Sequence, residues 1–173
     1  MEINFNISIR KEKLGDVQGI EDVTVAAFLE APHTDHTEQL IVSALRESGA
    51  LAISLVAIEN ESIVGHVALS PVVISDGSSD WFGLGPLSVS PAYQRRGIGS
   101  KLMKKAIQEL KNINANGCVL LGDPQFYQRF GFRPESSLKL LGVPPEFFQA
   151  LLLRGELPQG NVTYHKAFSV NEA

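Results

Sequence analysis

Apolar and polar residues alternate from Ile3 to Arg10, which predicts a half-buried strand. Gly15-Asp16 then leads into Val17, Ile20, Val23, Val25-Ala26 and Phe28. That is the spacing of a short amphipathic helix, with Asp16 as its N-cap. After a loop at Ala31 to His36, a second helix opens at Thr37-Glu38. Its stripe is Leu40-Ile41 and Ala44-Leu45, and Gly49 closes it. Leu51 to Ile58 is continuously apolar, the pattern of a central strand buried on both faces. A polar turn at Glu59 to Ser62 joins it to a longer strand, Ile63 to Ile74, so the two read as a hairpin. Trp81 to Val89, WFGLGPLSV, is a third apolar run. A clean 3.6-residue stripe follows on Ile98, Leu102-Met103, Ala106-Ile107, Leu110 and Ile113. Cys118 to Leu121 predicts a strand, and Gln125 to Phe130 a short helix ended by Gly131. Pro144 to Leu153 predicts another short helix, and Asn161 to Phe168 a last strand.

The order β-α-α-β-β-β-α-β-α-β predicts a mixed sheet flanked by helices, an α/β or α+β sandwich. No Pro/Gly/Ser-rich linker divides the 173 residues, so residues 1–173 are expected to form a single domain. With 44% apolar and 20% charged residues, the chain has ordinary globular composition. The only cysteine, Cys118, excludes an internal disulfide and reads as a packed core thiol in a reducing compartment. The start, MEINFNISIRKEK, lacks the apolar segment of a signal peptide. No apolar run approaches the roughly 20 residues of a membrane span. The expectation is a soluble, cytoplasmic protein with no membrane partner.

Charge sharpens this picture. The net charge is −4, which disfavours nucleic acid. Yet Tyr93 to Lys111 holds six basic residues against one acid, Glu109, and carries +5. The remaining nine basic and eighteen acidic residues carry −9. A positive spot on an acidic chain suggests one specific anionic ligand.

That spot begins with Gln94-Arg95-Arg96-Gly97-Ile98-Gly99-Ser100, at the start of the striped helix. The first turn of a helix leaves amides unpaired at its positive end, and glycines admit a phosphate close to them. Arg95 and Arg96 add charge-assisted bonds and Ser100 a hydroxyl, so a pyrophosphate suits the site. A dinucleotide fingerprint needs a third glycine where Leu102 stands, and the Walker pattern is absent. The strand before it holds Gly83, Gly85 and Pro86, which predicts a bulge and a splayed edge. A ligand with its own amides could lie along that edge. Pyrophosphate at one end and two amides along an arm describe coenzyme A.

LSVSPAYQRRGIGSKLMKKAI closely resembles the acetyl-CoA-binding motif of the GNAT superfamily of N-acetyltransferases, with Gln94-x-x-Gly97-x-Gly99 as the match. FYQRFGF, Phe126 to Phe132, resembles that family's second hallmark, a tyrosine four residues before Gly-Phe. The resemblance covers Ile7 to Pro134. It implies a mixed, mostly antiparallel central sheet with a bulged, splayed strand and helices on both faces. The tail, 135–173, is expected to complete the sheet and shape the acceptor site. It implies that the main-chain groups of Leu87, Ser88 and Val89 pair with the pantetheine arm and that Gln94 and the amides of Arg95, Arg96, Gly97, Ile98, Gly99 and Ser100 hold the pyrophosphate. Tyr127 is then expected to protonate the departing thiolate, since a thiol of pKa ~8.5 is more acidic than tyrosine at ~10.

The implied activity is acetyl-CoA-dependent transfer to a primary amine of a small molecule or peptide, by direct attack on the thioester and without a metal. Non-catalytic acyl-CoA binding and a homodimer stay open. No general base is readable. Glu30, Asp35, His36, Glu38 and Asp80 read as solvated charges or caps. His33-x-x-His36 lacks further metal ligands. His66 reads as a core histidine, and His165 as a residue near the acceptor cleft.

Overall fold

The computed structural model describes residues 6–32 and 34–169. Its elements are β1 (Ser8–Lys11), α1 (Val17–Phe28), α2 (Glu38–Glu47), β2 (Ile53–Glu59), β3 (Ser62–Pro71), β4 (Val73–Ile74) and β5 (Trp81–Val89). After these come α3 (Ile98–Asn112), β6 (Gly117–Leu121), α4 (Pro124–Tyr127), β7 (Arg133–Pro134), β8 (Leu138–Lys139), β9 (Phe148–Leu152) and β10 (Gly160–Thr163). A seven-stranded sheet runs β1-β2-β3-β5-β6-β9-β7, and a small sheet runs β4-β10-β8. In the large sheet every pair is antiparallel except β5 and β6, which α3 connects as a crossover. The expected mixed, mostly antiparallel sheet between helices is therefore present.

The stripe on α3 explains its seat. Ile98, Leu102, Met103, Ala106 and Leu110 are buried against Leu55, Ala57, Val67 and Leu69. Each fully buried Leu or Ile contributes roughly 1.5–3 kcal/mol. Gly65 permits the close approach, since a Cβ there would lie 3.1 Å from both Ile98 and Leu102. On the opposite face, Ile20 of α1 and Val42 of α2 pack on Val56. Gly49 takes a left-handed conformation, φ +76°, just past α2, as expected of a closing glycine.

The bulged strand is also present. The β3–β5 register shifts between Val67 and Leu69. The β5–β6 ladder ends at Gly83 opposite Val119. Beyond Gly83 the two strands part, and Leu84 to Val89 have no ladder partner on that side among the described residues.

Four expectations change. The helix predicted over Pro144 to Leu153 is a single turn at Pro145–Phe147 followed by strand β9. Phe148, Gln149 and Ala150 are buried there, and the open edge of β6 takes them as a ladder partner. A short apolar run does not discriminate the two periods by itself. The strand over Ile63 to Ile74 breaks after Pro71, whose nitrogen cannot donate, and β4 crosses to the small sheet. The last strand ends at Thr163, lies in the small sheet, and gives way to a turn at Lys166–Ser169. So the tail completes the main sheet through β9 and not through β10. Asp16 makes no side-chain cap on α1; its carboxylate accepts from Arg10 at 2.6 and 3.1 Å and from the Lys13 amide at 2.7 Å. The first strand starts at Ser8, and Ile3 to Phe5 lie outside the described residues.

Candidate active site

A cleft of about 650 Å³ lies where β5 meets the start of α3. Leu87, Val89, Gln94, Arg95, Gly97, Ile98, Gly99 and Ser100 all line it. The sequence makes this terminus open. Gly97 precedes the helix at φ +81°, and Arg95 is also left-handed at φ +65°. The Gln94 side chain donates to the Val89 carbonyl at 3.1 Å, tying the loop back to β5. Nothing lies within 4 Å of where a Gly97 Cβ would stand, and Gly99 has only Phe126 and Val89 nearby, at 3.6 and 3.9 Å. The first-turn amides of α3 thus face open space.

Two of the expected cofactor residues, whose expected contacts are main-chain, do not line the cleft with their side chains. Ser88 is fully buried on the opposite face of β5, because strand side chains alternate, so only its main chain could meet a ligand. Arg96 is not in the cleft wall; its guanidinium stacks over the Tyr93 ring, 5.6 Å from the centroid. Two residues not assigned from the sequence, Phe126 and Arg129, do line the cleft. Arg129 stacks over Phe126 at 5.7 Å and joins Arg95 as a second cation in that wall. Both belong to the FYQRFGF segment, whose aromatic-basic alternation was the available signal.

A second cavity of about 500 Å³ adjoins the first. Phe28 and Leu87 line both. Tyr127 lines the second, in edge-on contact with Phe126 (centroids 4.8 Å apart) and Phe132 (6.3 Å). Burial, with the Asp123 charge adding to it, pushes the Tyr127 phenol up to about 12. The hydroxyl therefore keeps its proton at neutral pH and can only donate or accept hydrogen bonds. Tyr164 and Phe168 bring the tail into the same wall.

The other titratable candidates divide. Glu38 lines the second cavity. Glu30, Asp35, His36 and Asp80 are exposed and line neither space. His165 also lies outside both cavities, and its Nδ1 accepts the Ala167 amide at 3.0 Å, capping the last turn. His66 is a core histidine: Nε2 is 2.8 Å from Ser54 Oγ, which donates to Glu12 at 2.8 Å. Burial lowers its pKa to about 4, so the ring is neutral. His33 lies outside the described residues. Among the described residues no group of three His, Cys, Asp or Glu could hold a metal, and no helix is long and apolar enough to cross a membrane.

A splayed β5–β6 pair beside a glycine-opened helix, with a protonated tyrosine at the far end, defines an acyl-transferase class of fold and site. Residues 51–134 match the acetyltransferase (GNAT) domain family. The uncharacterized N-acetyltransferase YhbS of Escherichia coli (strain K12) is 35% identical over 125 residues, 72% of each chain. A GNAT family acetyltransferase from Brucella melitensis, solved in complex with acetyl-CoA, superposes with a TM-score of 0.85 at 43% identity, over 95% of this chain and 99% of that one. The E. coli YhbS structure, in complex with CoA, gives a TM-score of 0.88 at 30% identity, over 98% and 95% of the two chains. This chain belongs to the GNAT family of acetyltransferases.

Proposed function

We propose that the chain transfers the acetyl group of acetyl-CoA to the primary amine of a small molecule or peptide. One observation carries this reading: the cleft at the α3 terminus and the cavity holding Tyr127 meet at Leu87 and Phe28. Pyrophosphate on the amides of Arg95 to Ser100 would send the pantetheine arm along the unpaired edge of β5, past Val89, Ser88 and Leu87. The thioester would then arrive where the two spaces join, with Tyr127 on the acceptor side.

The neutral amine attacks the carbonyl carbon, and an amide on the free side of β5 receives the oxyanion. The C–S bond breaks, and the Tyr127 hydroxyl donates to the sulfur. With a phenol near 12 and a thiol near ~8.5, complete transfer to a free thiolate runs uphill by about 5 kcal/mol. Tyr127 therefore passes its proton to sulfur as the proton leaving the nascent ammonium is delivered back to the phenol oxygen, so that one proton leaves nitrogen, one reaches CoA and the tyrosine is unchanged. We also take residues 1–173 as one functional domain whose tail, through Tyr164 and Phe168, shapes the acceptor space. The unpaired, buried Cys118 accords with the cytoplasm.

The test is release of CoA thiol from acetyl-CoA in the presence of amines, small and peptidic, with product mass confirming acetylation. Tight CoA binding by calorimetry without thiol release for any amine would leave only the binding-domain alternative.

A further inference from the structure

Most of the second cavity's wall is apolar, from Phe28, Ile41, Leu84, Leu121 and Phe168. No lysine, arginine or histidine lines it. Glu38, in the first turn of α2, is its one charged group. One carboxylate oxygen, Oε1, accepts from the Thr34 hydroxyl. The other, Oε2, is buried with no hydrogen-bond partner. The helix terminus favours an acid at this position. That accounts for the residue type but gives Oε2 no donor. The Tyr164 hydroxyl is likewise buried without a partner. An acid beside an apolar space, lacking a counter-ion, is half of an ion pair.

We propose that this cavity binds a primary ammonium carried on a compact apolar body, an arylalkyl or branched-alkyl monoamine, with the carboxylate of Glu38, which lines the cavity, as its counter-ion. The proposal rests on the transferase reading above and names the acceptor class for that site. The volume lies within the ~300–1,000 Å³ range of small-ligand sites. A polyamine would strand its other ammonium groups among Phe28, Leu84 and Phe168. A peptide acceptor would bring several amides to a wall whose side chains offer few hydrogen-bonding groups. An α-amino acid would set its carboxylate against Glu38, a like-charge clash in a low dielectric. Glu38 is thus a specificity-determining residue and not the base. It holds the ammonium, and the proton lost before attack goes to solvent.

The experiment uses the full chain with acetyl-CoA and four amines: phenethylamine, isoamylamine, phenylalanine and spermidine, with a lysine-containing tripeptide as a fifth. The two monoamines are expected to exceed the others in kcat/KM by about 100-fold, the scale of one charged hydrogen bond. Glu38→Gln is expected to raise KM for phenethylamine roughly 10- to 100-fold with the high-pH plateau of kcat little changed. It should also narrow the phenethylamine-to-phenylalanine ratio. Because a carboxylate favours the ammonium form, the amine limb of the kcat–pH profile should move down by about one unit. A merely structural Glu38 would move neither the ratio nor that limb. Unchanged melting and acetyl-CoA affinity in Glu38→Gln show that the fold is intact. Ile41→Arg supplies Glu38 with an internal partner, and should abolish monoamine turnover with acetyl-CoA affinity retained. Preference for spermidine or the tripeptide overturns the proposal while the transferase reading stands, and so does a Glu38→Gln protein with wild-type ratio and KM. If acetyl-CoA does not bind, both readings fall together.

Discussion

The ring of Tyr127 lies across Gly122, so closely that a Cβ on Gly122 would overlap the ring. The turn after β6 thereby holds the tyrosine against Phe126 and Phe132 and toward the acceptor cavity.

Gly122→Ala should therefore displace Tyr127. Overpacking of this kind costs about 1–3 kcal/mol, so the melting temperature falls. Tyr127→Phe removes only the hydroxyl and leaves the packing. Both variants should lose about 10²-fold or more in kcat, the typical worth of a positioned acid, with acetyl-CoA affinity within a few-fold of wild type. Turnover by Tyr127→Phe at the wild-type rate would remove the hydroxyl from the mechanism.

Gly99→Asp separates anchoring from folding. Its Cβ meets Phe126 and Val89 at ordinary contact distances. An acid in the first turn of α3 complements the helix dipole. Stability should hold or rise slightly. The same carboxylate occupies the anion site and repels a pyrophosphate, so acetyl-CoA affinity should drop about 100-fold or more. Calorimetry and thermal melting on one preparation read both. Parallel loss of melting temperature and affinity would show that the effect is only structural.

Gly83→Ala tests whether the tail builds the acceptor wall. The Tyr164 ring packs on Gly83, where an added Cβ would overlap it and lie 3.0 Å from Val72. The buried Val72 side chain on one side and the Tyr164 ring on the other leave little room to relax. A loss of about 1–3 kcal/mol is expected, with KM for the amine rising and acetyl-CoA affinity unchanged. Equal effects on both substrates would place Tyr164 outside the acceptor space.

The cleft at the start of α3 was legible because it is local. Gln94 to Ser100 lie within one loop and one helical turn, so their order and backbone freedom already describe the cradle. The expected contacts of Ser88 and Arg96 are main-chain, and their side chains lie away from the cleft, since strand alternation buries one and the Tyr93 ring takes the other. The acceptor cavity was not legible. Its wall joins Phe28, Glu38, Leu84, Leu121, Tyr127 and Phe168, from six separate segments. Glu38 looks like any solvated helix-start acid until packing covers Oε2. Strand β9 was misread because FFQALLL is apolar at both periods, and only the open edge of β6 decides between them.

His66 makes the stability depend on mild acid. Its side chain is fully buried, and burial, only partly offset by Glu12, lowers its pKa to about 4 from 6.5. Between those values the unfolded chain binds a proton that the folded chain refuses. The associated stability is complete above pH 6.5 and is lost as the pH falls toward 4. At 1.36 kcal/mol per unit the full loss is about 3 kcal/mol. Carboxylates add their own losses lower down. Burial raises the Glu12 pKa, but hydrogen bonds from Arg46 and Ser54 outweigh it, and Asp16 is held low chiefly by Arg10. Both stabilise above their ordinary range and lose that contribution as they protonate, below about pH 4.5. Urea midpoints at pH 7.5, 6.0 and 5.0 therefore isolate the histidine. Wild type should lose about 1–2 kcal/mol across that span. His66→Gln, which keeps a donor toward Ser54 but cannot titrate, should be flat there. A wild-type midpoint that is level from pH 7.5 to 5.0 would mean that His66 is protonated inside the fold.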